Sequence, residues 1–118
     1  MSNPFGAPEK SVEQVAEFRQ NKEGMILLDV REPMELRMAN LCDDIISVPL
    51  SVLAHAREGA LPAELADKNQ KLVVFCHTGV RSAQVTAWLK SLGWLNVWSM
   101  AGGIDAYARR IDSTIGRY

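Results

Sequence analysis

The stretch Lys71-Leu72-Val73-Val74-Phe75-Cys76-His77-Thr78-Gly79-Val80-Arg81-Ser82 decides how this chain is read. Up to Phe75 it is β-branched, aromatic and apolar on both faces, the pattern of a strand buried inside a parallel sheet. From Ser82 to Leu92 the period turns helical, with Val85, Trp88, Leu89 and Leu92 on one face and Gly93 placed to end it. A short loop joins the two. In open α/β sheets ligands bind beyond the carboxyl ends of strands, which is where this loop falls.

The same alternation continues outward. Upstream, Ser11 with Gln14 three residues on reads as a capping box, opening a helix with Val12, Val15, Ala16 and Phe18 on one face. Met25-Ile26-Leu27-Leu28 is a strand closing on Asp29, and Glu32-Pro33 begins a short helix. Ile45-Ile46-Ser47-Val48 is a second strand, stopped by Pro49; Ser51 is expected to cap a helix through Arg57, and Pro62 to start a short one. Downstream, Asn96-Val97-Trp98 is a last strand, Gly102-Gly103 a turn, and Ile104 to Ile111 a final helix. Residues 1–10, with two prolines and a glycine, read as a flexible lead-in, so the domain is expected over residues 11–118. The expectation is an α/β fold: a mainly parallel sheet with helices on both faces.

Composition narrows the function classes. With 118 residues, 47% hydrophobic, the chain has the size of one domain and enough apolar residues for a core. A net charge of −1 argues against disorder and against a nucleic-acid binder. Charge is uneven, however. Residues 1–60 carry six Lys/Arg against ten Asp/Glu, and residues 61–118 carry seven against four, so an anion is better sought in the second half. The longest apolar run, Leu72 to Cys76, is far short of the ~20 residues that span a bilayer. The opening MSNPFGAPEK has no apolar stretch of a secretory signal. Cys42 and Cys76 have no metal-ligand spacing, so no metal is expected, and reduced thiols in the cytoplasm are the default.

The loop itself carries three chemical features. Cys76 is a candidate nucleophile whose thiolate is favoured by helix-terminal amides and a nearby cation. Gly79 lets the backbone turn with N–H groups pointing inward, as in an anion nest. Arg81 adds a fixed positive charge. A lone Cys ending a strand is more often a small buried hydrophobe; a Cys, a Gly and an Arg within six residues between strand and helix shift the balance to function. The spacing is C-x4-R, one residue shorter than the C-x5-R of tyrosine phosphatases, so the ring is tight for phosphate but can surround one extra sulfur.

Taken together, the sequence resembles the single-domain rhodanese sulfurtransferases. The resemblance rests on Leu28-Asp29-Val30-Arg31-Glu32-Pro33, Val48-Pro49-Leu50, Val74 to Ser82 and Ala101-Gly102-Gly103-Ile104, and runs from about Ser11 to Tyr118. It implies the three-layer α/β/α rhodanese fold with a five-stranded sheet, and a persulfide mechanism. The Cys76 thiolate would take a sulfane sulfur from thiosulfate or a persulfide donor. Loop residues His77, Thr78, Gly79, Val80, Arg81 and Ser82 would hold it, with Asp29 and Arg31 in support. Cyanide, a protein thiol or a thiocarboxylate would accept it; no cofactor is implied. The end of the chain resembles the rhodanese module of activating enzymes in molybdopterin and thiamine sulfur transfer. That makes a ubiquitin-like sulfur carrier, on a separate chain, a candidate partner. One departure stands out: where many members have H-I-P-G-A, this chain has Asn40-Leu41-Cys42-Asp43-Asp44.

The remaining candidates read more plainly. His77 is expected to face solvent rather than Cys76, and His55 to lie on a helix surface. Cys42 is expected to be unpaired. Asp29 and Arg31 are expected to form an ion pair bracing the loop. Cys76, read as an exposed loop residue, is expected to carry little packing energy. Two competing functions remain: a sulfur-carrier or regulatory binding module on the same fold, and a phosphatase or arsenate reductase, against which the short loop speaks.

Overall fold

In the computed structural model the chain alternates strand and helix: β1 (Glu9–Lys10), α1 (Val12–Gln20), β2 (Ile26–Asp29), α2 (Pro33–Leu36), β3 (Ile46–Ser47), α3 (Leu50–Ala56), β4 (Leu72–Phe75), α4 (Val80–Ser91), β5 (Val97–Met100) and α5 (Gly103–Arg110). Short 3-10 turns occupy Arg57–Ala60, Ala63–Leu65 and Ser113–Ile115. The structure describes residues 3–21, 24–42 and 44–118; Asp43 of the departing segment and the first two residues of the lead-in lie outside them.

The sheet order is β1-β5-β4-β2-β3 with every pairing parallel, so β4 is central as its composition predicts. Its four residues are all buried, as a strand covered on both faces must be. The pleat sorts side chains by parity. Leu28, Leu72, Val74 and Val97 point to the face covered by α3 and α4, where Leu53, Val85 and Leu89 meet them. Leu27, Val73 and Phe75 point to the other face and pack with Val12 and Val15 of α1 and Ile104 and Tyr107 of α5. Two apolar layers around one sheet make the expected three-layer α/β/α architecture.

Several boundaries differ from the sequence reading. The lead-in is not loose throughout: Glu9 and Lys10 pair with Ser99 and Met100 at the sheet edge, and Ala7 is buried. Main-chain bonds dominate there, and composition does not report them. The Ser11–Gln14 capping box is present, with both reciprocal hydrogen bonds formed at 2.8 and 3.1 Å. Ser51 is not the cap of α3. Pro49 takes the cap position, and Ser51 instead gives its N–H and hydroxyl to the Glu32 carboxylate, at 3.2 and 2.6 Å. Helix α4 begins at Val80, two residues before the apolar period shows it, because Gly79 at φ +100° forms its N-cap.

Candidate active site

Strand parity decides where Cys76 points. Leu72, Val74 and Cys76 share one side of β4, so the thiol is directed beneath α4 among Val85 and Leu89, and only 1% of the residue is exposed. The expectation of an exposed loop cysteine is therefore corrected: Cys76 is part of the core as well as the start of the loop. The chain then turns over the sulfur. Cys76 Sγ accepts the Gly79 N–H at 3.2 Å and the Ser82 N–H at 3.3 Å. Its other neighbour is the Ser82 hydroxyl at 3.5 Å, which is 2.7 Å from the buried Ser99 hydroxyl of β5. A sulfur that accepts two main-chain N–H groups in this way can carry negative charge without a metal. Among the described residues there is no group of three or more His, Cys, Asp or Glu able to hold a metal ion.

The outer side of the loop is fixed by α5. Ile104 and Asp105 N–H groups, at the start of that helix, donate to the Cys76 and His77 carbonyls at 2.9 and 3.0 Å. Gly79 is poorly suited to a side chain: its φ is +100°, and a β-carbon there would make a tight 3.1 Å contact with the Gly102 nitrogen. The loop is thus clamped between the end of β4 and the Gly102-Gly103 turn, part of the Ala101-Gly102-Gly103-Ile104 motif on which the family resemblance rests.

Asp29 and Arg31 form the expected ion pair, wholly buried. Arg31 Nη2 donates to Asp29 Oδ2 at 2.7 Å, Nε reaches both carboxylate oxygens, and the Arg31 main-chain N–H adds a bond to Oδ1. The remaining nitrogen, Nη1, donates to the Glu35 carbonyl at 3.1 Å, tying the end of β2 to α2.

Arg81 does not stand free. Its Nη1 and Nη2 donate to Glu35 Oε2 and Oε1 at 2.7 and 2.8 Å, a bidentate pair. The Arg81 guanidinium, with help from the Glu32 N–H and the Tyr118 hydroxyl and against partial burial, brings the Glu35 carboxyl down to about 2. His77 faces away from the thiol as expected, but toward a partner: its ring stacks on Tyr118 at 3.9 Å, and Nε2 lies 2.9 Å from the Tyr118 main-chain carbonyl oxygen. Thr78 and Val80 are exposed. Glu35, Ser99 and Tyr118 escaped the sequence reading. Glu35 left one trace, a second acid three residues after Glu32, and the structure uses it to cap α2, accepting the Glu32 N–H at 2.8 Å.

Cys42 is a free thiol and takes no part in this arrangement. It packs on the α1/α5 side of the sheet, whereas Cys76 lies on the α3/α4 side. Burial and the Asp44 carboxylate push its thiol up to about 11.

Comparison with known proteins agrees with this architecture. The chain is 34% identical over 95 residues to Rhodanese-like/PpiC domain-containing protein 12, chloroplastic, of Arabidopsis thaliana, a match over 78% of this chain and 30% of that one. It is 28% identical over 85 residues to tRNA uridine(34) hydroxylase of Escherichia coli, over 72% of this chain and 24% of the relative. It therefore spans about a quarter to a third of the length of these curated relatives. Among solved structures, a rhodanese-related protein from Thermoplasma volcanium superposes with a TM-score of 0.69 at 30% identity, covering 88% of this chain and 93% of that one. The human single-domain sulfurtransferase TSTD1 gives a TM-score of 0.72 at 24% identity, with 89% and 98% covered, a likeness of fold. With the Rhodanese-like domain model matching residues 11–110, the chain belongs to the rhodanese-like domain family.

Proposed function

We propose that this protein is a sulfurtransferase that moves a sulfane sulfur through a persulfide on Cys76. The observation that carries the reading is the pair of main-chain N–H groups, from Gly79 and Ser82, converging on the Cys76 sulfur at 3.2 and 3.3 Å. Family membership over residues 11–110 supports sulfur transfer as the class of reaction. In the first step the Cys76 thiolate attacks the outer sulfur of thiosulfate or of a persulfide, and the donor leaves as sulfite or a thiolate. In the second, cyanide, a protein thiol or a thiocarboxylate, for example on a ubiquitin-like carrier, removes that sulfur and returns the thiolate. Loop amides stabilise negative charge on the sulfur in both steps. Asp29 and Arg31 act as positioning residues, since their buried pair fixes the end of β2 beside the loop.

The alternatives draw less support. A phosphatase needs room for a tetrahedral oxyanion, and the loop is closed tightly enough for its amides to reach the thiol itself. A purely binding module has no use for donors aimed at a sulfur. A reducing compartment, the cytoplasm, fits two free thiols; no helix among the described residues is long and apolar enough to cross a membrane.

Intact mass spectrometry tests the proposal. Exposure to thiosulfate should add about 32 Da, one sulfur, to Cys76 by covalent transfer. Cyanide should remove it with release of thiocyanate. Absence of the adduct with both thiosulfate and an organic persulfide as donor, or its appearance on Cys42, would refute the mechanism.

A further inference from the structure

The Arg81–Glu35 pair has no part in the steps above, yet it occupies the only cation of the loop. Glu35 accepts both Arg81 nitrogens, the Glu32 N–H at 2.8 Å and the Tyr118 hydroxyl at 2.9 Å. Tyr118 is itself held on His77 by ring stacking. A carboxylate fixed by four hydrogen bonds does not swing aside for an incoming anion without breaking them. Thiosulfate, a dianion, would meet a cation already matched. A donor whose sulfur rides on an uncharged organic thiol makes no demand on that cation. The residues next in sequence to the pair also suit such a donor: Met34 and Val80 are 70% and 61% exposed and offer apolar contact to a carrier.

We infer that Glu35 is a specificity-determining residue, which withholds the Arg81 charge and turns the site from thiosulfate toward organic persulfides. The inference rests on the sulfurtransferase reading above. With a persulfide, the Cys76 thiolate forms a bond to the terminal sulfur of R–S–SH. The S–S bond of the donor breaks, and its electron pair leaves on R–S⁻. The products are Cys76–S–SH and a thiolate, with the proton staying on the transferred sulfur and no external oxidant or reductant. With thiosulfate the same attack yields Cys76–S–S⁻ and sulfite dianion, so a dianion must approach and another depart in the field of the Arg81–Glu35 pair, whose guanidinium is within electrostatic reach of Cys76.

The test is the rate of sulfur loading on Cys76 in the full chain, read by rapid quench and intact mass. The two donors are thiosulfate and the persulfide of N-acetylcysteine methyl ester, whose organic part carries no charge. Glu35→Gln should raise the thiosulfate-to-persulfide ratio of rate constants roughly tenfold and make it steeper in ionic strength, as expected for one unmasked, partly screened charge. In an Arg81→Gln background the added Glu35→Gln should leave the ratio unmoved, because its effect runs through the guanidinium. Tyr118→Phe, at the surface, removes one of the four bonds to Glu35 and should shift the ratio the same way by less. It stands in if Glu35→Gln does not fold. A ratio unchanged in the folded variants, or an equal shift without Arg81, overturns the inference. No adduct on wild-type Cys76 from either donor overturns the sulfurtransferase reading and the inference with it, so the two failures are told apart by the wild-type arm.

Discussion

Gly103 rests against the carbonyls of Cys76 and His77: a β-carbon on Gly103 would lie 2.6 Å from the Cys76 oxygen, and its φ is +63°. Any side chain at this turn pushes directly on the loop that surrounds the sulfur. Gly103→Ala should therefore cost about 2–4 kcal/mol, from the left-handed backbone and the overlap together. Denaturant titration gives the number. Loss of under about 0.5 kcal/mol, a typical surface value, would mean the turn relaxes freely.

Removing the thiol should cost stability as well as chemistry. Cys76 is 1% exposed, and its sulfur is the acceptor for two buried N–H groups. Cys76→Ala leaves both unmet and a small void, a loss of roughly 1–3 kcal/mol. Cys76→Ser keeps an acceptor and should be the more stable of the two, while neither can carry a persulfide. Equal stability of the three proteins would contradict the buried arrangement.

Asp29 and Arg31 are both fully buried, so either one alone is an uncompensated charge. Asp29→Ala is expected to lose about 3–5 kcal/mol, the scale for breaking a buried pair from one side. The melting temperature of the variant checks this. A near-neutral effect would mean that Arg31 finds water or another acceptor.

The acid limb of stability should report Glu35. Its carboxyl is lowered from 4.5 to about 2 in the folded protein. A depressed carboxyl stabilises the fold fully above its unfolded value, and that contribution is lost as pH falls from about 4.5 through about 2. Because the pair with Arg81 is partly exposed, Glu35→Gln should cost about 1 kcal/mol or less at pH 7. The gap from wild type should close as pH approaches 2. Denaturant midpoints of both proteins at pH 7, 4 and 2.5 measure it, and a gap independent of pH would assign Glu35 a packing role only.

What could be read from the sequence was local. The apolar run before Cys76, the glycine at 79 and the helical period after Ser82 place strand, loop and helix because each depends on neighbours in the chain. The Asp29–Arg31 pair, two residues apart, belongs to the same class. Parity would also have shown Cys76 to be buried, since Leu72, Val74 and Cys76 share a face; its position after the strand hid this. Glu35 and Arg81 are 46 residues apart, and Tyr118 lies 83 beyond Glu35. Such contacts leave no periodic trace in one chain, which is why the charge partner of Arg81 and the tyrosine over His77 became visible only in three dimensions. Edge strand β1 was missed for a related reason: it is two residues long and held by main-chain bonds to β5.

The loop from Cys76 to Ser82 gives two of its carbonyls to α5 and two of its N–H groups to the sulfur. The N–H contacts to the sulfur are thus made by main-chain atoms, with the Ser82 hydroxyl the one side chain beside it. The side chains at 78 and 80 point outward and are exposed, so substitutions there leave the main-chain groups around the sulfur in place. The rim of the loop can therefore change its chemistry without moving the two amides that reach the sulfur.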